Sequence, residues 1–212
     1  AMTISGRWSP VVWKNGEFHK NLCIMEGGSL QQGAVFSISG DGSVAGGWTY
    51  TSTSGGERES VYWDVENWNE ETADAYTMLT FDGNPFYTVR GISPDGNYLV
   101  YMSAGGVTYV RNIETGEDTR VPGLEGVEMW ELNYNAINDQ RMAVGSESIG
   151  NGGSYIRAVV TYVDENGDMG TRPIDDYVRE QDPEVDFASV GIAENPGIEG
   201  AYQLLEGRGV SN

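Results

Sequence analysis

The chain has 212 residues, 39% hydrophobic and 11% aromatic, enough to bury the core of one large all-β domain or two small ones. Its 32 acids against 12 bases give a net charge of −20, a field that repels phosphate backbones and anionic membrane surfaces and argues against nucleic acid as a partner. No run approaches the roughly 18 apolar residues needed for a helix to cross a bilayer, which argues against membrane insertion.

Thirty glycines beside twelve tyrosines and six tryptophans point to many short strands joined by tight turns. Cys23 is the single cysteine, so it forms no internal disulfide and leaves the redox compartment open. His19 is the single histidine, which removes most zinc, haem and non-haem iron sites built on several imidazoles. Ala1-Met2 reads as a scar ahead of a start, leaving room for a signal peptide removed from the natural protein.

Taken in order, residues 2–5 read as the remnant of a strand, and residues 9–17 as a strand running into an Asn-Gly turn. A turn at residues 37–42 (Ser-Ile-Ser-Gly-Asp-Gly) then opens a unit that recurs. After it come an apolar run at 43–50, a strand around Val61, Tyr62 and Trp63, and an acidic turn at 64–67. The next copy has its opening turn at 91–96, an apolar run at 97–102, a strand around Thr108, Tyr109 and Val110, and a turn at 114–117. A third runs from the turn at 136–139 through 141–145 and a strand at 159–162 to the turn at 164–167. Residues 174–180 are the one stretch with a helical reading, and residues 209–212 repeat the opening turn. The equivalent Ile38, Ile92, Ile137 and Val210 lie 54, 45 and 73 residues apart, as constant strands with variable loops require.

The pattern predicts an all-β fold, a β-propeller-like array of about four four-stranded antiparallel sheets in a single domain, residues 1–212. A first strand from the C-terminus would complete the sheet begun at the N-terminus, closing a ring and hiding its edges. The other reading is a portion of a larger propeller.

Residues 91–121, GISPDGNYLVYMSAGGVTYVRNIETGEDTRV, resemble the repeats of TolB-type propellers, in which an SPDG turn leads through an apolar and an aromatic strand to an ETGE-like turn. The segments SISGDGSVAGGW and SVYWD are similar to HAF-type extracellular repeats of bacterial secreted proteins. Asp139-Gln140-Arg141 departs from the Asp-Gly turn. The resemblance implies a secreted, periplasmic or cell-surface binding platform, and it supplies no catalytic residue set to carry over.

Several residues are candidates for chemistry. Asp164, Asn166 and Asp168 have the alternate spacing of a calcium loop, although Met169 stands where such a loop has glycine and a hairpin turn explains the same residues. Residues 175–186 hold six acids, and Asp175, Asp176 and Asp182 are ligand-binding candidates there against the reading of a solvated loop. Trp13 and Trp63, with Tyr109 and Tyr162 in register, are expected to pack between sheets. Trp8, Trp48, Trp68 and Trp130 do not repeat in this way and are candidates to stack on sugar, the competing reading being the same inter-sheet packing. No cofactor is expected beyond calcium at that one loop. Catalysis by His19 finds no nucleophile elbow and no reachable Cys23. The sequence therefore reads as a non-catalytic binding module for protein or glycan, with a paired-carboxylate carbohydrate enzyme and a fragment of a larger propeller as alternatives.

Overall fold

The computed structural model describes residues 2–4, 7–22, 33–50, 58–69, 75–81, 84–103, 106–124, 129–149, 155–187 and 189. β1 (Met2–Ile4) pairs with β2 (Arg7–Ser9), and beyond Pro10 the chain continues as β3 (Val11–Lys14), which folds back into β4 (Glu17–Asn21). Proline has no N–H to give to a ladder, and the two pairings stay separate on either side of it. Asn15 and Gly16, at φ 55° and 83°, form the two-residue hairpin whose left-handed residues match strand twist.

Three four-stranded antiparallel meanders follow. The second blade is β5 (Gly33–Ile38), β6 (Val44–Tyr50), β7 (Arg58–Asp64) and β8 (Tyr76–Phe81). The third is β9 (Asn84–Ile92), β10 (Tyr98–Ser103), β11 (Thr108–Asn112) and β12 (Asp118–Arg120). The fourth is β13 (Met129–Ile137), β14 (Ala143–Ile149), β15 (Tyr155–Val163) and β16 (Met169–Pro173). Thr80 and Phe81 pair with Pro85 and Asn84, so the second and third blades also touch edge to edge. The helix α1 (Ile174–Gln181) starts directly after Pro173, where the sequence gives a helical reading. The fold is thus the expected all-β, propeller-like array. The closing strand expected at residues 209–212 and Cys23 lie outside the described residues.

The first strand of each later blade lies across the preceding blade: β9 touches β5, β6 and β7, and β13 touches β9, β10 and β11. Each first strand carries an extra residue in its ladder, Phe36, Arg90 and Asn135 respectively, and β9 and β13 carry a second, Tyr87 and Trp130. A bulge adds local twist and fixes register. Here it brings the Arg90 guanidinium over the Phe36 ring, 5.6 Å from its centroid.

Burial is concentrated in three layers between blades. Val12, Leu22, Ala45, Val61, Trp63 and Trp68 fill the first, Leu79, Val89, Ile92, Leu99 and Tyr101 the second, and Val100, Val110, Tyr134, Ile137 and Val159 the third. Alternation along each strand sends successive side chains to the layers on either side. The second layer depends on a missing side chain, since a Cβ on Gly46 would stand 2.5 Å from Cγ1 of Val89.

The aromatic column expected between sheets forms only in part, with Trp63 and Tyr109 buried in the layers and Trp13 and Tyr162 exposed. Trp63 is fully buried, but Trp13 is 57% exposed. Tyr109 precedes its turn residue Asn112 by three positions where Trp63 precedes Asp64 by one, and Tyr162, two before Asp164, points to the opposite side of its blade. The turns differ in length, and counting back from them shifts the alignment.

Candidate functional site

A four-stranded meander reverses at every turn, so the turn after its first strand and the turn after its third lie at the same end. In the second and third blades one backbone bond joins the two, Val65 N–H to the Ser43 carbonyl at 2.7 Å and Ile113 N–H to the Asn97 carbonyl at 2.8 Å. The result is one face built of turns.

The opening turns share a hydrogen-bond circuit. The Ser39 hydroxyl donates to Oδ1 of Asp41 at 2.7 Å and accepts from the Val44 amide at 3.0 Å. Ser93 does the same with Asp95 at 2.6 Å and Tyr98 at 2.9 Å. In the fourth blade the Asn138 side-chain oxygen accepts the Gln140 and Met142 amides, at 3.1 and 2.9 Å. The circuits also touch across blades: Gly40 N–H donates to the Pro94 carbonyl at 2.8 Å, and Asp95 N–H to Oδ1 of Asp139 at 2.9 Å.

These bonds set the acidity of the face. The Ser39 hydroxyl, with the amide and hydroxyl of Ser43, holds the Asp41 carboxyl down to about 2. Burial raises the pKa of Asp95, but hydrogen bonds from Ser93 and Asn97 and the contact with Asp139 outweigh it and leave the group below the ordinary carboxylate range. A general acid in a carboxylate pair needs the opposite shift.

Two grooves open between blades on this face. The larger, about 450 Å³, lies between the second and third blades, walled by Val44, Tyr62, Tyr76 and Ile113 and edged by Asp64, Glu66 and Asn67. The smaller, about 290 Å³, occupies the same place between the third and fourth blades and includes Tyr98, Glu117, Arg141 and Asp168. There the Arg141 guanidinium already covers the Tyr98 ring, 6.0 Å from its centroid. The described residues lining the larger groove include two tyrosines and two carboxylates but no lysine or arginine. It can take a cation from outside, where its neighbour carries one of its own.

The candidates named from sequence are scattered rather than gathered. Trp48 and Trp68 are buried, and Trp68 donates its indole N–H to the Asn21 carbonyl at 2.7 Å. Neither ring is open to a sugar, which corrects that expectation. The backbones of Trp8 and Trp130 belong to β2 and β13, and their side chains lie outside the described residues. Asp175 is buried and faces Arg157 with both oxygens at 3.1 Å, so the run of acids is not a uniformly solvated loop and Asp175 is not free for a ligand. Asp176 flanks Arg157 and Arg179, each at 3.7 Å, and Glu180 pairs with Arg172. Asp182 is exposed just past α1, with its carboxylate accepting the Glu184 amide at 3.2 Å.

Asp164, Asn166 and Asp168 do share a turn. Oδ1 of Asp164 accepts the Asp168 and Asn166 amides at 2.8 and 2.9 Å, and these bonds keep its carboxyl below the ordinary range. The described residues contain no gathering of three or more His, Cys, Asp or Glu side chains of the kind that holds a metal ion.

Sequence reasoning missed Tyr62 and Tyr76 as groove walls and Glu147 as a buried acid. Glu147 is fully buried in β14, accepts the Leu124 amide at 3.1 and 3.3 Å, and is pushed up by burial. The repeat carried a signal for Tyr62, since Tyr62 and Val110 stand at matching places before Asp64 and Asn112.

No family model and no curated protein matches the chain. Among solved structures it is similar to "The structure of putative TolB from Agrobacterium tumefaciens", at 11% identity and a TM-score of 0.49, covering 79% of this chain. The chain spans 57% of the length of that protein. The propeller-like assignment rests on the four successive antiparallel units and the layers between them.

Proposed function

We propose that the chain is a binding module rather than an enzyme, and that its turn face takes a protein ligand by a cationic side chain. The larger groove carries this reading: two tyrosine rings and two carboxylates line a cavity of about 450 Å³, with no base among its described lining residues. An aromatic wall favours the face of a guanidinium or the stem of a lysine, and the carboxylates favour its head. The net charge of −20 steers cationic partners toward the chain. The resemblance of residues 91–121 to TolB-type repeats supports an envelope or secreted setting.

The test is calorimetric titration of the chain with a panel of arginine- and lysine-containing peptides and with soluble oligosaccharides. The reading expects a basic peptide to bind, with affinity lowered at least tenfold by Glu66→Lys. Binding of oligosaccharides alone, or peptide binding indifferent to Glu66→Lys and Thr77→Arg, would overturn it.

A further inference from the structure

The opening turn has glycine at its fourth position in the second and third blades and arginine in the fourth. Gly42, Gly96 and Arg141 donate their backbone N–H to the carbonyls of Ser39, Ser93 and Asn138, at 3.0, 2.9 and 3.1 Å. All three have left-handed backbone, with φ of 80°, 75° and 64°. Glycine adopts that conformation freely, whereas a residue with a Cβ holds it under strain. The strain goes with a placement. A Cβ on Gly96 would stand 3.5 Å from Cγ2 of Val44 in the preceding blade. Tyr98 holds the place of Val44 one junction on, since the Ser39 N–H bonds the Val44 carbonyl and the Ser93 N–H the Tyr98 carbonyl. Arg141 accordingly sets its guanidinium over the Tyr98 ring, 6.0 Å from the centroid, in the lining of the smaller groove.

Among the described residues this guanidinium has no hydrogen bond or ion pair, although Glu117 and Asp168 belong to the same lining. Both acids are exposed. The groove, about 290 Å³, is at the small end for ligand sites, which run from roughly 300 to 1,000 Å³. We propose that it binds a small zwitterion of the amino-acid class, its carboxylate taken by Arg141 and its ammonium by Glu117 and Asp168. A guanidinium held against an aromatic ring presents its fork of donors ready-made for a carboxylate. The two acids beside it disfavour a ligand that is only anionic, and Arg141 disfavours one that is only cationic. Backbone strain kept at a contact residue is one way in which a site is pre-organised for its ligand. This site is separate from the larger groove and does not depend on what binds there.

Calorimetric titration with alanine, and with propionate and ethylamine, which are alanine without its ammonium and without its carboxylate, tests the proposal. Alanine is expected to bind roughly tenfold or more tightly than either half, because each half leaves one set of charges unmatched. Arg141→Gly installs the residue of the sister turns. It should lower alanine affinity by roughly tenfold or more while melting at or above the wild type, since the strained backbone is relieved. Alanine should raise the melting temperature of the wild type and not that of the variant. No detectable alanine binding, propionate binding as tightly as alanine, or alanine binding unchanged in Arg141→Gly would overturn the site. A variant that melts below the wild type would overturn it too, by showing that the arginine serves the turn and not a ligand.

Discussion

The amide of Asp95 stands 2.9 Å from Oδ1 of Asp139, so the opening turn of the third blade is capped by a side chain of the fourth. Gly40 and Pro94 form the corresponding link between the second and third blades entirely through backbone. The side-chain link is open to mutation and the backbone link is not. Asp139→Ala is expected to cost about 1 kcal/mol in urea unfolding, the usual worth of one such bond. Asp139→Asn keeps an acceptor oxygen and should cost little. Equal losses would mean that the charge, and not the bond, matters at this junction.

At Gly46 the second and third blades pack too closely to admit a side chain. A Cβ there would meet Val89 at 2.5 Å and Cδ1 of Ile92 at 3.0 Å, so both must move. Gly46→Ala should destabilise by about 1–3 kcal/mol, the range for overpacked cores. Gly16→Ala meets nothing within 4 Å and carries only the cost of its positive φ. Chemical denaturation of the two variants side by side separates crowding from backbone strain.

Glu147 gives a pH signature. Burial raises its folded pKa above the ordinary 4.5, so the folded state holds its proton more tightly than the unfolded chain. Its contribution to stability is therefore greatest at low pH and falls as pH rises through the window above 4.5. Glu147→Gln keeps an oxygen for the Leu124 amide and removes the titration. The variant should melt above the wild type at neutral pH, with the gain shrinking toward pH 4.5. A gain independent of pH would show that charge is not the cause.

Asp41 acts in the other direction. Its folded value of about 2 lies below the ordinary 3.8, so its stabilisation is present above 3.8 and is lost as pH falls from there toward about 2. Asp95 and Asp164 are shifted the same way. Acid titration of the wild type should show falling stability across that window, and Asp41→Asn should flatten part of the slope. An unchanged slope would leave the turn circuit without a role in acid sensitivity.

Arg157 and Asp175 form a buried pair, so taking away one partner strands the other. Asp175→Ala is expected to cost about 3–5 kcal/mol, while Asp182→Ala, at an exposed site, should stay within about 0.5 kcal/mol. Thermal unfolding of both variants tests whether this run of acids is structural at its start and solvated at its end.

The repeat made most of the fold readable, because Ser39, Ser93 and Asn138 each close the same local circuit and local circuits leave a local pattern. The helix was readable for a similar reason, as one uninterrupted turn-free stretch after Pro173. What sequence did not reveal was which surfaces have neighbours. Trp13 and Trp63 sit in nearly the same context, and only the blade packed against one distinguishes them. Asp175 reads as one acid among six, because Arg157 lies 18 residues away along the chain and arrives only through the β15–β16 hairpin. The groove was hidden likewise: Tyr62 and Tyr76 become a wall only when Ile113 of the next blade stands opposite.

Each buried layer joins blades that are consecutive in sequence. Among the described elements the energetics are then those of a row of dominoes, with one term per sheet and one per boundary. A lesion at the boundary around Val89 and Gly46 would leave folded pieces on either side, and protection of backbone amides against exchange would divide there. Calorimetry of such a variant would show two transitions where an undivided core allows one.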